Sequence, residues 1–112
     1  MSLTEDEVCK CLKYMPQLNK KLFSEKQLKE TTRVMKLVSH PTRLQILKLL
    51  CEKDLCVCVL AEILGRSQPN ISQHLAKLKD NGVIENYARG KLVYYKIANK
   101  KTTDLIEKLG EL

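Results

Sequence analysis

The chain has 112 residues, enough for one domain, and its 44% hydrophobic and 29% charged residues give a globular balance rather than a disordered one. The formal net charge of +7 favours a polyanionic partner without identifying one, since many basic domains bind no nucleic acid. No apolar run approaches the ~20 residues that cross a bilayer, and the N-terminus lacks the apolar core of a secretory signal, so the expected location is cytoplasmic, with no membrane contact.

Residues 1–23 read as a basic arm that carries Cys9-Lys10-Cys11, with Pro16 limiting any continuous helix. The folded domain is expected over residues 24–112. Ser24 can cap a first helix, on which Leu28, Met35 and Val38 fall on or near one stripe. His40-Pro41 ends it, because proline disfavours helical geometry in the residue before it. From Thr42 to about Cys51, Leu44, Ile46, Leu47, Leu49 and Leu50 surround a helix almost completely at about 100° per residue, which marks it as the central buried helix. Asp54 is the expected N-cap of a short helix over about 55–64, closed by Gly65.

Ser67 then caps another helix, with Pro69 in its first turn, which ends at Asn81-Gly82. Two β-prone runs follow, Val83 to Tyr87 and Leu92 to Ile97, with Ala88-Arg89-Gly90-Lys91 as the hairpin tip. A last helix is expected from about Thr102 to Leu112, with Leu105, Ile106, Leu109 and Leu112 on one face. The fold class is therefore mostly α with a small β-hairpin, in the order helix, turn, helix, wing.

The helix after Gly65 reads face by face. Ile71, Leu75 and Leu78 at i, i+4 and i+7 face the core, while Asn70, Gln73 and Lys77 form a neighbouring polar stripe. Asn and Gln can bond an adenine edge with two hydrogen bonds, and Lys can reach guanine or phosphate. Gln68 and Ser72 near the helix start are further candidates for base or phosphate contact. Arg89 and Lys91 at the hairpin tip suit a phosphate backbone or minor groove. A polar stripe alone is more often a solvated face. The hairpin, the glycine turn and the amide-rich stripe together reverse that reading. His74 borders the apolar stripe, so a structural hydrogen bond competes there with DNA contact.

Four segments resemble the arsenical-resistance repressor family of metal sensors (ArsR/SmtB). They are His40-Pro41-Thr42-Arg43-Leu44-Gln45-Ile46-Leu47, Asp54-Leu55-Cys56-Val57-Cys58-Val59-Leu60-Ala61, Ser67-Gln68-Pro69-Asn70-Ile71-Ser72-Gln73-His74-Leu75 and Gly90-Lys91-Leu92-Val93-Tyr94-Tyr95. They span roughly residues 28 to 98 in the family's order and spacing. The resemblance implies a winged helix-turn-helix homodimer, paired through its first and last helices, that represses transcription and releases operator DNA when an inducer binds. The leucine stripe of the last helix, exposed on so small a monomer, fits pairing with a second copy. Two recognition helices related by a two-fold axis would read an inverted repeat in double-stranded DNA.

Five cysteines, an odd number, argue against a closed disulfide framework and leave thiols free to bind metal or react. Cys56 and Cys58 sit near a helix start, which favours thiolate. On a regular helix their side chains point about 200° apart, so both could hold one ion only if the first turn loosened. By resemblance, this pair is the one that arsenic and cadmium/lead sensors use. The arsenic pattern has a third cysteine where this chain has Ala61. The cadmium/lead pattern adds two cysteines from the arm, within or across subunits, and Cys9 and Cys11 are the candidates, though closer together than usual. Four thiolates suit cadmium, lead or zinc, and three suit trivalent arsenic or antimony. The family's zinc site on the last helix is not expected, since Asn99-Lys100-Lys101 stands there and no histidine follows.

Competing readings are that Cys56 and Cys58 are small buried hydrophobes, or that the pair is a thiol redox sensor on the same fold. An enzyme is not expected. There are only two histidines, and no C-x-x-C or H-E-x-x-H motif. A winged helix that docks protein rather than DNA is the remaining alternative.

Overall fold

The computed structural model describes residues 4–112, without the side chains of Asp6, Val8, Cys9 and Cys11. The chain divides into two compact units, Met1–Arg33 and Val34–Leu112. In the first, the stretch read as an arm forms two short helices, α1 (Glu5–Leu12) and α2 (Met15–Asn19), the second with Pro16 in its first turn. α3 (Glu25–Val38) begins at a reciprocal cap: the Gln27 N–H donates to Ser24 Oγ, and the Ser24 N–H donates to Gln27 Oε1. Ser24 thus caps as expected, but Leu28 and Met35 remain exposed and only Val38 of that stripe is buried.

The second unit is built around α4 (Pro41–Glu52), which starts where His40-Pro41 ends α3; the His40 Nδ1 accepts from the Thr42 N–H. Ile46, Leu47 and Leu50 are buried, and α4 touches every later helix, α5 (Val57–Leu64), α6 (Gln68–Asp80) and α7 (Lys100–Leu109), together with the sheet. The central position of this helix matches its leucine-rich sequence, with one difference: Leu44 is exposed. It lines an apolar groove of about 270 Å³ with Ile106 and Leu109.

α5 ends at Gly65, whose φ of 64° is left-handed, and the Arg66 N–H closes the turn on the Ala61 carbonyl at 3.0 Å. Ser67 then caps α6 by accepting from the Asn70 N–H, and Pro69 sits in the first turn. Ile71, Leu75 and Leu78 are fully buried and meet Leu60, Ile46 and Leu47 in one core. Each such side chain contributes about 1.5–3 kcal/mol by leaving water, so this stripe fixes the orientation of α6 about its axis.

The hairpin consists of β2 (Ile84–Arg89) and β3 (Leu92–Ile97), in register from Ile84 opposite Ile97 to Arg89 opposite Leu92. Its two-residue loop has Gly90 at φ 63° and no other residue in the left-handed region, the pattern of a type II′ turn. The sheet has a third strand that the sequence reading lacked. Leu55–Cys56 forms β1, antiparallel to β3, giving the order β1-β3-β2. The fold is thus mostly helical with a small three-stranded antiparallel sheet, a winged helix-turn-helix. No helix among the described residues is long and apolar enough to cross a membrane.

Two expectations are corrected here. Asp54 does not cap α5: the N-cap is Cys56, and Asp54 instead accepts a hydrogen bond from the Tyr87 hydroxyl. The leucine face of the last helix is split, because Ile106 is buried against the protomer's own core while Leu105 and Leu109 stay exposed, and Leu112 lies beyond α7. The central role of the α6 stripe predicts that Leu75→Ala lowers the unfolding free energy by about 2–5 kcal/mol. Urea denaturation followed by circular dichroism measures this.

Candidate nucleic-acid interface and thiol pair

With the apolar stripe of α6 held inward, its other faces are presented to solvent. Gln68, Ser72, Gln73 and Lys77 are exposed on α6, and Arg89 and Lys91 are exposed at the tip of the wing. Arg43, Gln73, His74 and Lys77 line an open cleft of about 500 Å³ along α6. Two cationic side chains on a turn and two amides on a helix give both ingredients of groove binding, charge for phosphate and paired donors and acceptors for base edges.

Asn70 and His74 differ from the rest of the stripe. Asn70 is half-buried, and its Oδ1 is shielded from solvent with no hydrogen-bond partner. His74 is half-buried too: its Nδ1 accepts from Arg43 Nε at 3.2 Å, and its ring stands 4.6 Å from that of His40. Burial, then the neighbouring His40, Arg43 and Arg66, pulls the His74 pKa below the ordinary histidine value. A neutral imidazole that accepts at Nδ1 carries its proton on Nε2. His74 therefore holds Arg43 against α6 and keeps an Nε2–H donor. Arg43 also donates to the Leu37 carbonyl at 3.0 Å, which ties α6 to the end of α3.

The thiols meet at the other end of the motif. Cys56 Sγ and Cys58 Sγ are 3.0 Å apart. The expected 200° divergence does not arise, because Cys56 is not helical. At φ −92° and ψ 165° it is the extended N-cap of α5, and only Cys58 belongs to the helix. Cys56 is buried and Cys58 exposed. The bond from the Cys58 thiol, helped by the Val59 N–H, holds Cys56 below the usual thiol range. Losing that same bond pushes the Cys58 thiol up. The opposite shifts order the pair, so that Cys56 gives up its proton before Cys58.

Two soft sulfurs side by side suit a thiophilic ion as a bidentate donor set. Among the described residues no group of three or more Cys, His, Asp or Glu side chains is placed to hold a metal. The Cys9 and Cys11 side chains lie outside the described residues. The third described cysteine, Cys51 on α4, is half-buried, and burial pushes its thiol up.

Residues 40–86 match the family of bacterial regulatory proteins described as the arsR family. The cadmium resistance transcriptional regulatory protein CadC of Listeria innocua is 44% identical over 73 residues, covering 64% of this chain and 61% of that protein. The chain thus spans less than two thirds of the length of that relative. The biofilm growth-associated repressor of Xylella fastidiosa is 32% identical over 85 residues, covering 76% of this chain and 75% of the repressor. The chain belongs to the arsR family. Among solved structures, the homodimeric winged helix-turn-helix DNA-binding domain from Mycobacterium bovis superposes with a TM-score of 0.70 at 30% identity, covering 79% of this chain and 84% of that one. The arsR family and this fold are those of DNA-binding transcriptional regulators, not of enzymes.

Three features of the site left no signal in the sequence: the strand at Leu55–Cys56, the Arg43–His74 bond and the Tyr87–Asp54 bond. The opposite shifts predict that thiolate absorbance of Cys56 and Cys58 rises in two steps, one below and one above the pH of an ordinary thiol. In Cys58→Ala the Cys56 step moves upward, and an unmoved step would show that Cys58 does not stabilise that thiolate.

Proposed function

We propose that this protein is a homodimeric transcriptional repressor. In this reading it binds an inverted repeat in double-stranded operator DNA and releases it when Cys56 and Cys58 engage a soft thiophilic ion. The observation that carries the reading is the joint placement of an exposed amide-rich stripe on α6, a cationic wing tip and a close thiol pair at the N-cap of the preceding helix. Gln73 reads a base edge, with Gln68 and Ser72 beside it, and Lys77, Arg89 and Lys91 take phosphate or groove. His74 contributes its Nε2–H. Asn70 joins them by turning its amide outward, since a buried unpaired acceptor costs about 1–3 kcal/mol and rotation relieves it.

Residues 24–112 serve as the DNA-binding domain, and residues 1–23 as the arm that supplies Cys9 and Cys11. The ion would be held by Cys56 and Cys58, completed by Cys9 and Cys11, and would supply a cross-link between the N-cap and first turn of α5. Four sulfurs favour cadmium, lead or zinc, and three favour arsenic or antimony. The exposed Leu44 and Leu109 along the α4–α7 groove, with Leu105 also exposed on α7, supply an apolar face for a second copy. The cytoplasm, where thiols stay reduced, is the fitting compartment.

A redox reading is favoured by one observation: only two described thiols meet, one of them lowered in pKa, which is the number a dithiol sensor needs. A DNA-release assay with cadmium, lead, zinc, arsenite and peroxide separates the readings. Release by soft ions, with a sulfur-to-metal absorption band at fixed stoichiometry, is the expected outcome. Release by peroxide alone would replace it with redox sensing. Cys56→Ser puts a hydroxyl at the N-cap, a position that serine suits, so it should bind DNA normally and fail to respond. Lost DNA binding in that variant would make Cys56 structural.

The two kinds of DNA contact separate by mutation. Gln73→Ala should lose discrimination between operator and scrambled duplex by about 1–3 kcal/mol, whereas Lys91→Ala should weaken all sequences alike. Fluorescence anisotropy with both duplexes measures this.

A further inference from the structure

The thiol pair and the wing share a strand. Cys56 is where β1 ends and α5 begins, and its partner in the ladder is Tyr94 of β3. Tyr94 lies opposite Tyr87 of β2, and their rings are stacked at 5.9 Å with a 16° tilt. The Tyr87 hydroxyl donates to Asp54 Oδ2, just ahead of β1 in the chain. The Arg89 guanidinium carbon stands 6.0 Å over the Tyr94 ring. Strand pairing, ring stacking and the guanidinium over the ring thus link Cys56 to Arg89 step by step.

A two-stranded hairpin is only marginally stable by itself, so its orientation depends on what holds its base. Here the third strand is two residues long and offers few ladder bonds. A hydrogen bond onto a carboxylate is among the stronger kinds, and this one joins β2 to the segment just before β1. We propose that Asp54, Tyr87 and Tyr94 form a strut tying the thiol pair to the wing, so that the state of the pair is read in the placement of Arg89 as well as through α6. Tyr87 and Asp54 are positioning residues in this scheme. They act on Arg89 and on the junction at Cys56, and they touch neither DNA nor ion. The inference rests on the reading of Cys56 and Cys58 as the responding pair.

Tyr87→Phe tests it, because the ring and its stacking are kept and only the donor is lost. In the full-length variant without metal, DNA affinity should fall about threefold to tenfold, and the slope of log affinity against log salt should shrink by about one phosphate contact. Cadmium chloride added to the wild-type protein without DNA should change amide hydrogen exchange over residues 84–97, and this change should be at least halved in Tyr87→Phe. The cadmium stoichiometry, read from the absorption band, should be that of wild type. Asp54→Asn, whose amide oxygen can still accept from the phenol, should retain most of the wild-type slope. Wild-type slope and wild-type exchange response in Tyr87→Phe would overturn the strut. A wild-type protein whose thiol pair takes up no cadmium would instead overturn the ion-sensing reading, and the salt slope of Tyr87→Phe would still decide whether the strut holds Arg89.

Discussion

Burial of Ile71, Leu75 and Leu78 against α4 and α5 is the contact on which the rest of the molecule depends. These three side chains fix α6 about its axis. The 3.6-residue period then leaves Gln68, Ser72, Gln73 and Lys77 in solvent. The same core seats α4, and through Ile84 it seats the base of the wing. The proposed DNA surface is in this sense the complement of the core, and no separate device is needed to present it.

That part of the molecule was legible in the sequence because it is periodic and locally signalled. The apolar stripe of α6, the Ser67 cap, the left-handed Gly65 and the Gly90 turn all stand where sequence chemistry put them. The features that the sequence does not signal are short or distant. A strand of two residues has no period to detect, and its partner Tyr94 lies far along the chain. That strand delays the start of α5 to Val57 and leaves the N-cap to Cys56 rather than Asp54.

The extended N-cap decides how the thiols meet. A helical Cys56 would hold its sulfur away from Cys58, and the pair would need a loosened first turn to act together. Extended geometry at the N-cap removes the conflict and brings the sulfurs to 3.0 Å without distorting α5. Side-chain pairs across the fold were equally invisible. Arg43–His74 and Tyr87–Asp54 join positions 31 and 33 residues apart, and neither residue type announces its partner. The last helix shows a third limit: a one-sided apolar stripe does not tell how much of it the protomer uses itself, and here Ile106 turns inward while Leu105 and Leu109 face out.

Membership of the arsR family and the winged helix-turn-helix fold agree with a regulator that binds DNA through α6 and the wing. The central claim is that this surface meets a DNA duplex. The affinity of the reduced protein for an inverted-repeat duplex, measured across a range of salt concentrations, tests it most directly. Each phosphate contact releases counterions, so log affinity should fall steeply and linearly with log salt, at close to one unit of slope per contact. Weak binding that does not change with salt would contradict the account and assign the exposed face of α6 to a protein partner instead.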